Sequence, residues 1–183
     1  EPYVVHCIAV AETVLSVNKS PLVVAAAMLH DVVEDVSLDR IIDVAIAHST
    51  VPHIFQAKAD DYIMGFAPDC RTNRLSCLSQ WLGATVASLV EQVSDVSDHS
   101  MGNRAARKEI DRLHLAEASA EAKTIKLADL IDNTRSIVEH DAKFARVYMH
   151  EKQLLLPVLQ GGDTTLYRQA QDLIEQYYQE NPT

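Results

Sequence analysis

Glycine is scarce in this chain, and the five present stand at Gly65, Gly83, Gly102, Gly161 and Gly162. That scatter excludes a GxGxxG dinucleotide fingerprint, a phosphate-cradling P-loop and a GxSxG nucleophile elbow. Cysteine is scarce too. Cys7, Cys70 and Cys77 are odd in number and irregularly spaced, which excludes a disulfide framework and a paired-cysteine zinc site. They read as reduced thiols of a cytoplasmic protein. Aromatic residues make up 5% of a chain that is 48% hydrophobic, so the core must be built from Ala, Val, Leu and Ile. No apolar run approaches the roughly 20 residues that span a bilayer. The strongest, from Pro21 to Leu29, ends in His30-Asp31. Positive charge is also short: 16 Lys and Arg against 26 Asp and Glu leave a net charge of -10. Nucleic acid and membrane surfaces are therefore poor partners, and a small polyanion would have to be held by a metal ion and a few local cations.

What remains is helical. A chain of 183 residues fits one domain. Ser20-Pro21 marks a helix start, with a helix expected through Asp35. Val86, Val90, Val93 and Val96 recur at helical spacing. Further helices are expected over Arg104 to Ala118, Ala120 to Glu139, Lys143 to Leu159 and Thr164 to Tyr178, the last capped by Asp163.

 The class is all-α, a single helical domain over residues 1–183. Pro52, Gly65, Pro68 and Asn73 break the stretch from about 48 to 81 into an insertion of short pieces.

Chemistry concentrates in three places: His6, the run Leu29-His30-Asp31-Val32-Val33-Glu34-Asp35, and the run Lys126-Leu127-Ala128-Asp129-Leu130-Ile131-Asp132-Asn133. On a continuous helix His30 and Asp31 point about 100° apart, and both reach one ion near the helix surface. Glu34 and Asp35 follow one turn later along the same two rows. That pattern suits water activated beside a metal with a carboxylate as base. Taken alone, the two acids read as a solvated helix end. Asp129 lies among apolar neighbours, where a carboxylate needs a partner, and Lys126 is one candidate. Arg104, Arg107 and Lys108 either bring cations to a substrate or form an exposed helix face.

Taken together, these motifs resemble the hydrolase domain of the RelA/SpoT alarmone family. The resemblance rests on Glu1-Pro2-Tyr3-Val4-Val5-His6, on Ala26 to Asp35, on Gly83 to Val96, and on Ile125 to Asp129 with Asn133 and Arg135. It is nearest to the single-domain small alarmone hydrolases of the metazoan SpoT-homologue kind. It implies a helical HD-type bundle binding one Mn²⁺ through His6, His30, Asp31 and Asp129. A mixed imidazole and carboxylate shell also accepts Fe²⁺, Co²⁺ or Zn²⁺. The resemblance further implies Glu34 and Asp35 as the catalytic acids, and Asn133 and Tyr148 beside the substrate. Lys126, Arg104, Arg107 and Arg135 are the cations available for its phosphates. The expected reaction is hydrolysis of the 3′-pyrophosphate of a guanosine polyphosphate. An adenine alarmone, NADPH or a nucleotide-binding module without turnover stand as alternatives. Two departures are the insertion, about thirty residues longer than the family leads one to expect, and the acidic stretch Ser94 to Asn103, where relatives carry more lysine. Oligomeric state has no signature in the sequence.

Overall fold

The structure, a computed structural model, describes residues 3–48, 53, 54, 56, 57, 60 and 68–182. Among the described residues there are helices and no strand. The helices are α1 (Tyr3–Val17), α2 (Pro21–Met28), α3 (Val32–Asp35), α4 (Leu38–His48), α5 (Arg71–Leu82), α6 (Ala84–Val93), α7 (Arg104–Ala116), α8 (Ala120–His140), α9 (Ala142–Leu155) and α10 (Thr164–Glu180). The all-α expectation holds.

Helix α8 is the spine. Ala122, Thr124, Ile125, Leu127, Ala128, Asp129, Leu130, Ile131 and Thr134 are all buried, so the helix is covered nearly all round. A helix with apolar residues on every side belongs in the middle of a fold. Accordingly α1, α2, α6, α9 and α10 all pack against it. Small residues allow this close packing: Ala26, Ala27, Ala128 and Ala170 have no exposed surface. Gly162 makes one approach that a side chain would block, since a Cβ there would lie 2.9 Å from Leu127 Cδ1 and 3.0 Å from the backbone of Lys123.

Caps set the helix starts. Asn103, Ser119, Asp141 and Asp163 each accept a first-turn amide with the side chain. Ser20 takes the N-cap position of α2 with Pro21 behind it, but its side chain makes no capping bond. The helix expected through Leu159 ends at Leu155, and the chain tightens to a 3-10 turn over Leu156–Leu159. Pro157 lacks the amide that would continue the α-helix. The valine periodicity overran its helix. Helix α6 stops at Val93, and the Val96 amide turns to the Asp111 carboxylate at 3.0 Å.

The larger correction concerns residues 21–35. No continuous helix runs through them: α2 ends at Met28 and α3 begins at Val32. Asp31 has φ -100 and ψ 0, in the sparsely populated bridge region. His30 Nδ1 lies 2.9 Å from the Ala27 carbonyl, the acceptor that the Asp31 amide would use in an unbroken helix. The histidine side chain has replaced a rung of the helix. Glu34 therefore owes its position to the turn and its neighbours rather than to a helical row shared with His30.

Candidate active site

His6 comes from α1, His30 and Asp31 from the turn after α2, and Asp129 from the middle of α8. His6 Nε2 lies 3.2 Å from His30 Nε2. Asp129 Oδ1 lies 3.4 Å from His6 Nε2 and 3.7 Å from His30 Nε2. Asp31 Oδ2 stands 3.1 Å from His30 Nε2 and 4.0 Å from His6 Nε2. The donor atoms of His6, His30 and Asp129 all fall within 4.8 Å of one another. Asp31 joins the group through its distances to the two imidazoles. Neighbouring ligands about 2.1 Å from one ion are separated by about 3.0–3.4 Å, so the spacing fits a shared divalent cation.

The outer nitrogens of both rings are occupied. His30 Nδ1 donates to the Ala27 carbonyl, and His6 Nδ1 lies 2.6 Å from Asp132 Oδ2. Each ring is thereby turned so that Nε2 faces inward with its lone pair available. Asp132 had no assigned role in the sequence. The signal was there in its spacing, three residues after Asp129 and so on the same side of α8.

Charge at the centre also fits a cation. Burial disfavours the imidazolium of His30, but hydrogen bonds and charge from Asp129 and Asp31 outweigh it and raise its pKa to about 10. The carboxylates thus call for positive charge where the Nε2 atoms meet, and a divalent ion supplies it in place of protons. Burial opposes ionisation of Asp129, yet the Lys126 ammonium and the two histidines hold its carboxyl well below the usual carboxylate range. Lys126 Nζ sits 3.0 Å from Asp129 Oδ2, and Asn133 donates to Asp129 Oδ1.

Above this floor opens a cavity of about 640 Å³. Glu34 and Asp31 line one side, and α7 and α9 supply the far wall with Arg104, Lys108, Tyr148 and Lys152. Glu34 is exposed to this space by surface area, but protein around its carboxyl desolvates it enough to push the pKa up to about 7, against the pull of Lys126. Its Oε1 accepts the Asp95 amide at 2.9 Å. That loop is pinned from below by buried Asp111, whose carboxylate takes the amides of Val96 and Ser97 and the Ser97 hydroxyl.

Lys126, Asn133, Arg104 and Tyr148, expected at the substrate, all line the cavity. Three expected residues do not. Asp35 is exposed and absent from the lining, so the acidic pair is divided and Glu34 alone faces the cavity. Arg107 donates to the Gly102 carbonyl at 2.9 Å, closing its own loop, and Arg135 is exposed outside the lining. Asp95, Asp111 and Lys152 belong to the surroundings of the site, but no motif pointed to them. Of the insertion, α5 packs on α3, where Arg74 Nη1 donates to the Val33 carbonyl at 2.8 Å. No residue of α5 lines the cavity. Most of residues 49–67 lies outside the described residues.

The HD domain family profile matches residues 3–134. This chain belongs to the HD domain family. Over 145 residues the chain is 32% identical to probable GTP diphosphokinase RSH3, chloroplastic, of Oryza sativa subsp. japonica, covering 75% of this chain and 16% of that protein. Over 142 residues it is 32% identical to the protein of the same name from Arabidopsis thaliana, covering 75% of this chain and 15% of that protein. The chain therefore corresponds to a small part of those RelA/SpoT homologues. It also resembles a solved structure described as a metazoan ortholog of SpoT that hydrolyzes ppGpp and plays a role in starvation responses. There the TM-score is 0.67 at 27% identity, covering 96% of this chain and 82% of that chain. No helix among the described residues is long and apolar enough to cross a membrane. All three thiols are free.

Proposed function

We propose that this HD domain hydrolyses the 3′-pyrophosphate of a guanosine polyphosphate, yielding GDP or GTP and pyrophosphate, with Mn²⁺ held by His6, His30, Asp31 and Asp129. The observation that carries the reading is the inward convergence of the two Nε2 atoms and the Asp129 carboxylate beneath a cavity that Glu34 and several cations share. The likeness to a ppGpp hydrolase supports the choice of substrate. The cytoplasm is the compartment we assign.

When bound, the ion supplies Lewis acidity toward a phosphate oxygen and makes nearby water more acidic. Glu34 accepts a proton from the attacking water, and a pKa near 7 suits that task at neutral pH. A bond forms between the water oxygen and the phosphorus attached to the 3′ oxygen. The bond from that phosphorus to the 3′ oxygen breaks, and the leaving oxygen takes up a proton. Lys126 and Asn133 keep Asp129 oriented. Tyr148 Oη is buried with no hydrogen-bond partner among the described residues, although Thr134 lies close by, and it offers a donor to the substrate.

A panel of ppGpp, pppGpp, adenine alarmones and NADPH incubated with Mn²⁺ and resolved by anion exchange tests this. GDP plus pyrophosphate from ppGpp supports it. Orthophosphate as the sole small product, or turnover confined to another nucleotide, replaces it.

A further inference from the structure

The cations of the cavity differ in what they already hold. Arg104 makes a two-pronged pair with Glu151, at 2.6 and 2.9 Å, and its guanidinium lies over the Phe144 ring. Lys108 pairs with Asp95, Arg112 with Glu109, and Lys126 with Asp129. Lys152 is different. Among the described residues it has neither an ion-pair partner nor a hydrogen-bond acceptor, although it lines the same cavity. Its ammonium sits 4.6 Å from the centroid of the Tyr148 ring, whose hydroxyl is itself unpartnered. Lys126 and Lys108 repel it, while Asp129, Glu151 and Asp95 attract it without an ion-pair contact.

A half-buried ammonium with no counter-charge in contact is costly to keep. Lys152 is half-buried by surface area, but its amine is desolvated, and burial together with the Lys126 charge pushes its pKa down to about 8. A cation stays in such a place at little cost when a ligand anion completes it. The paired cations have much less to offer, because each would have to leave a carboxylate first.

We infer that Lys152 is an anion-reading residue of the cavity, an ion pair left half-made until a phosphate group of the substrate supplies the other half. Resting on the function proposed above, it deepens that reading. Lys152 binds a phosphate other than the one under attack, and Tyr148 beneath it holds the ammonium in place through its ring. Lys152 thereby joins Lys126 and Arg104, the two cations read from the sequence that line the cavity.

The test compares the full Mn²⁺-loaded chain with Lys152→Met, which keeps the stem and removes the charge, and with Lys152→Arg. Steady-state kinetics on ppGpp are measured alongside calorimetric titration with inorganic pyrophosphate. In Lys152→Met, KM is expected to rise about tenfold or more, with kcat within about threefold of the parent. Pyrophosphate affinity should fall by a similar factor, and Lys152→Arg should recover most of both losses. Metal content should match the parent in both variants. Unchanged KM and unchanged pyrophosphate affinity would overturn the inference. So would a loss of kcat alone, since it would make Lys152 a support for Tyr148. If the parent turns over no 3′-pyrophosphorylated nucleotide, the proposed function falls, and the pyrophosphate titration still decides the role of Lys152.

Discussion

Around His6, His30 and Asp129, the groups that face the centre are each held from behind. His6 is braced by Asp132, His30 by the Ala27 carbonyl, and Asp129 by Lys126 and Asn133. On the far wall, Arg104 and Glu109 are substantially exposed and their ion pairs stand in water. The floor is built to hold donor atoms at fixed positions in a low-dielectric setting, where a missing partner is expensive. The wall is built to be solvated until something binds, and there a lost pair costs little. One contact on the wall departs from this pattern, the uncommitted Lys152.

Substitutions on the floor should therefore act far more strongly than substitutions on the wall. Asp129→Ala is expected to have the largest effect. It should abolish metal binding by elemental assay. It also leaves Lys126 buried without its carboxylate, a loss of about 3–5 kcal/mol in urea unfolding. A mutant with full metal content would remove Asp129 from the ligand set.

Glu34→Gln comes next. It should keep the metal and lower kcat by about 10²–10⁴-fold, the usual contribution of a positioned base. Glu34 must be ionised to accept a proton, so activity should rise with pH through its pKa. The rising limb is expected at or below about 7, since a bound cation lowers it further, and should vanish in Glu34→Gln. A limb that persists unchanged would assign it to another group.

Asp132→Asn should weaken metal affinity or activity by about 10–100-fold, the usual scale for a carboxylate behind a ligating histidine. Chelator competition would measure this, and parent-like affinity would show that the Nδ1 bond is dispensable. Arg112→Ala is the control on the wall. Loss of its pair with Glu109 should shift stability by less than about 1 kcal/mol in thermal melts. A larger loss would mean that the wall is as tightly built as the floor.

The floor was legible in the sequence because its residues come in short runs with fixed spacing. His30-Asp31 are adjacent, and Asp129 with Asn133 lie on one side of a helix whose apolar character is plain. The all-α class was legible from the same helical periodicity. The wall was not, since Lys152 comes under the charge of Lys126 and Asp129 only after α9 folds back on α8. Asp95 and Asp111 belong to a loop and a helix whose pairing no local pattern announces. The break at His30 was also hidden, because Ala26 to Asp35 reads as uninterrupted helix until the imidazole is seen on the Ala27 carbonyl.

That break leaves α3 as four residues, Val32–Asp35. A single isolated turn of this length has no stability of its own in water. Its order comes from outside. Arg74 of α5 holds the Val33 carbonyl, and the Asp95 amide holds the Glu34 carboxylate. The base is therefore aimed like a lever between two hands, one at the end of the inserted segment and the other on the loop pinned by Asp111. Its aim is a property of the assembled fold, and neither α2 nor the metal-binding turn sets it alone.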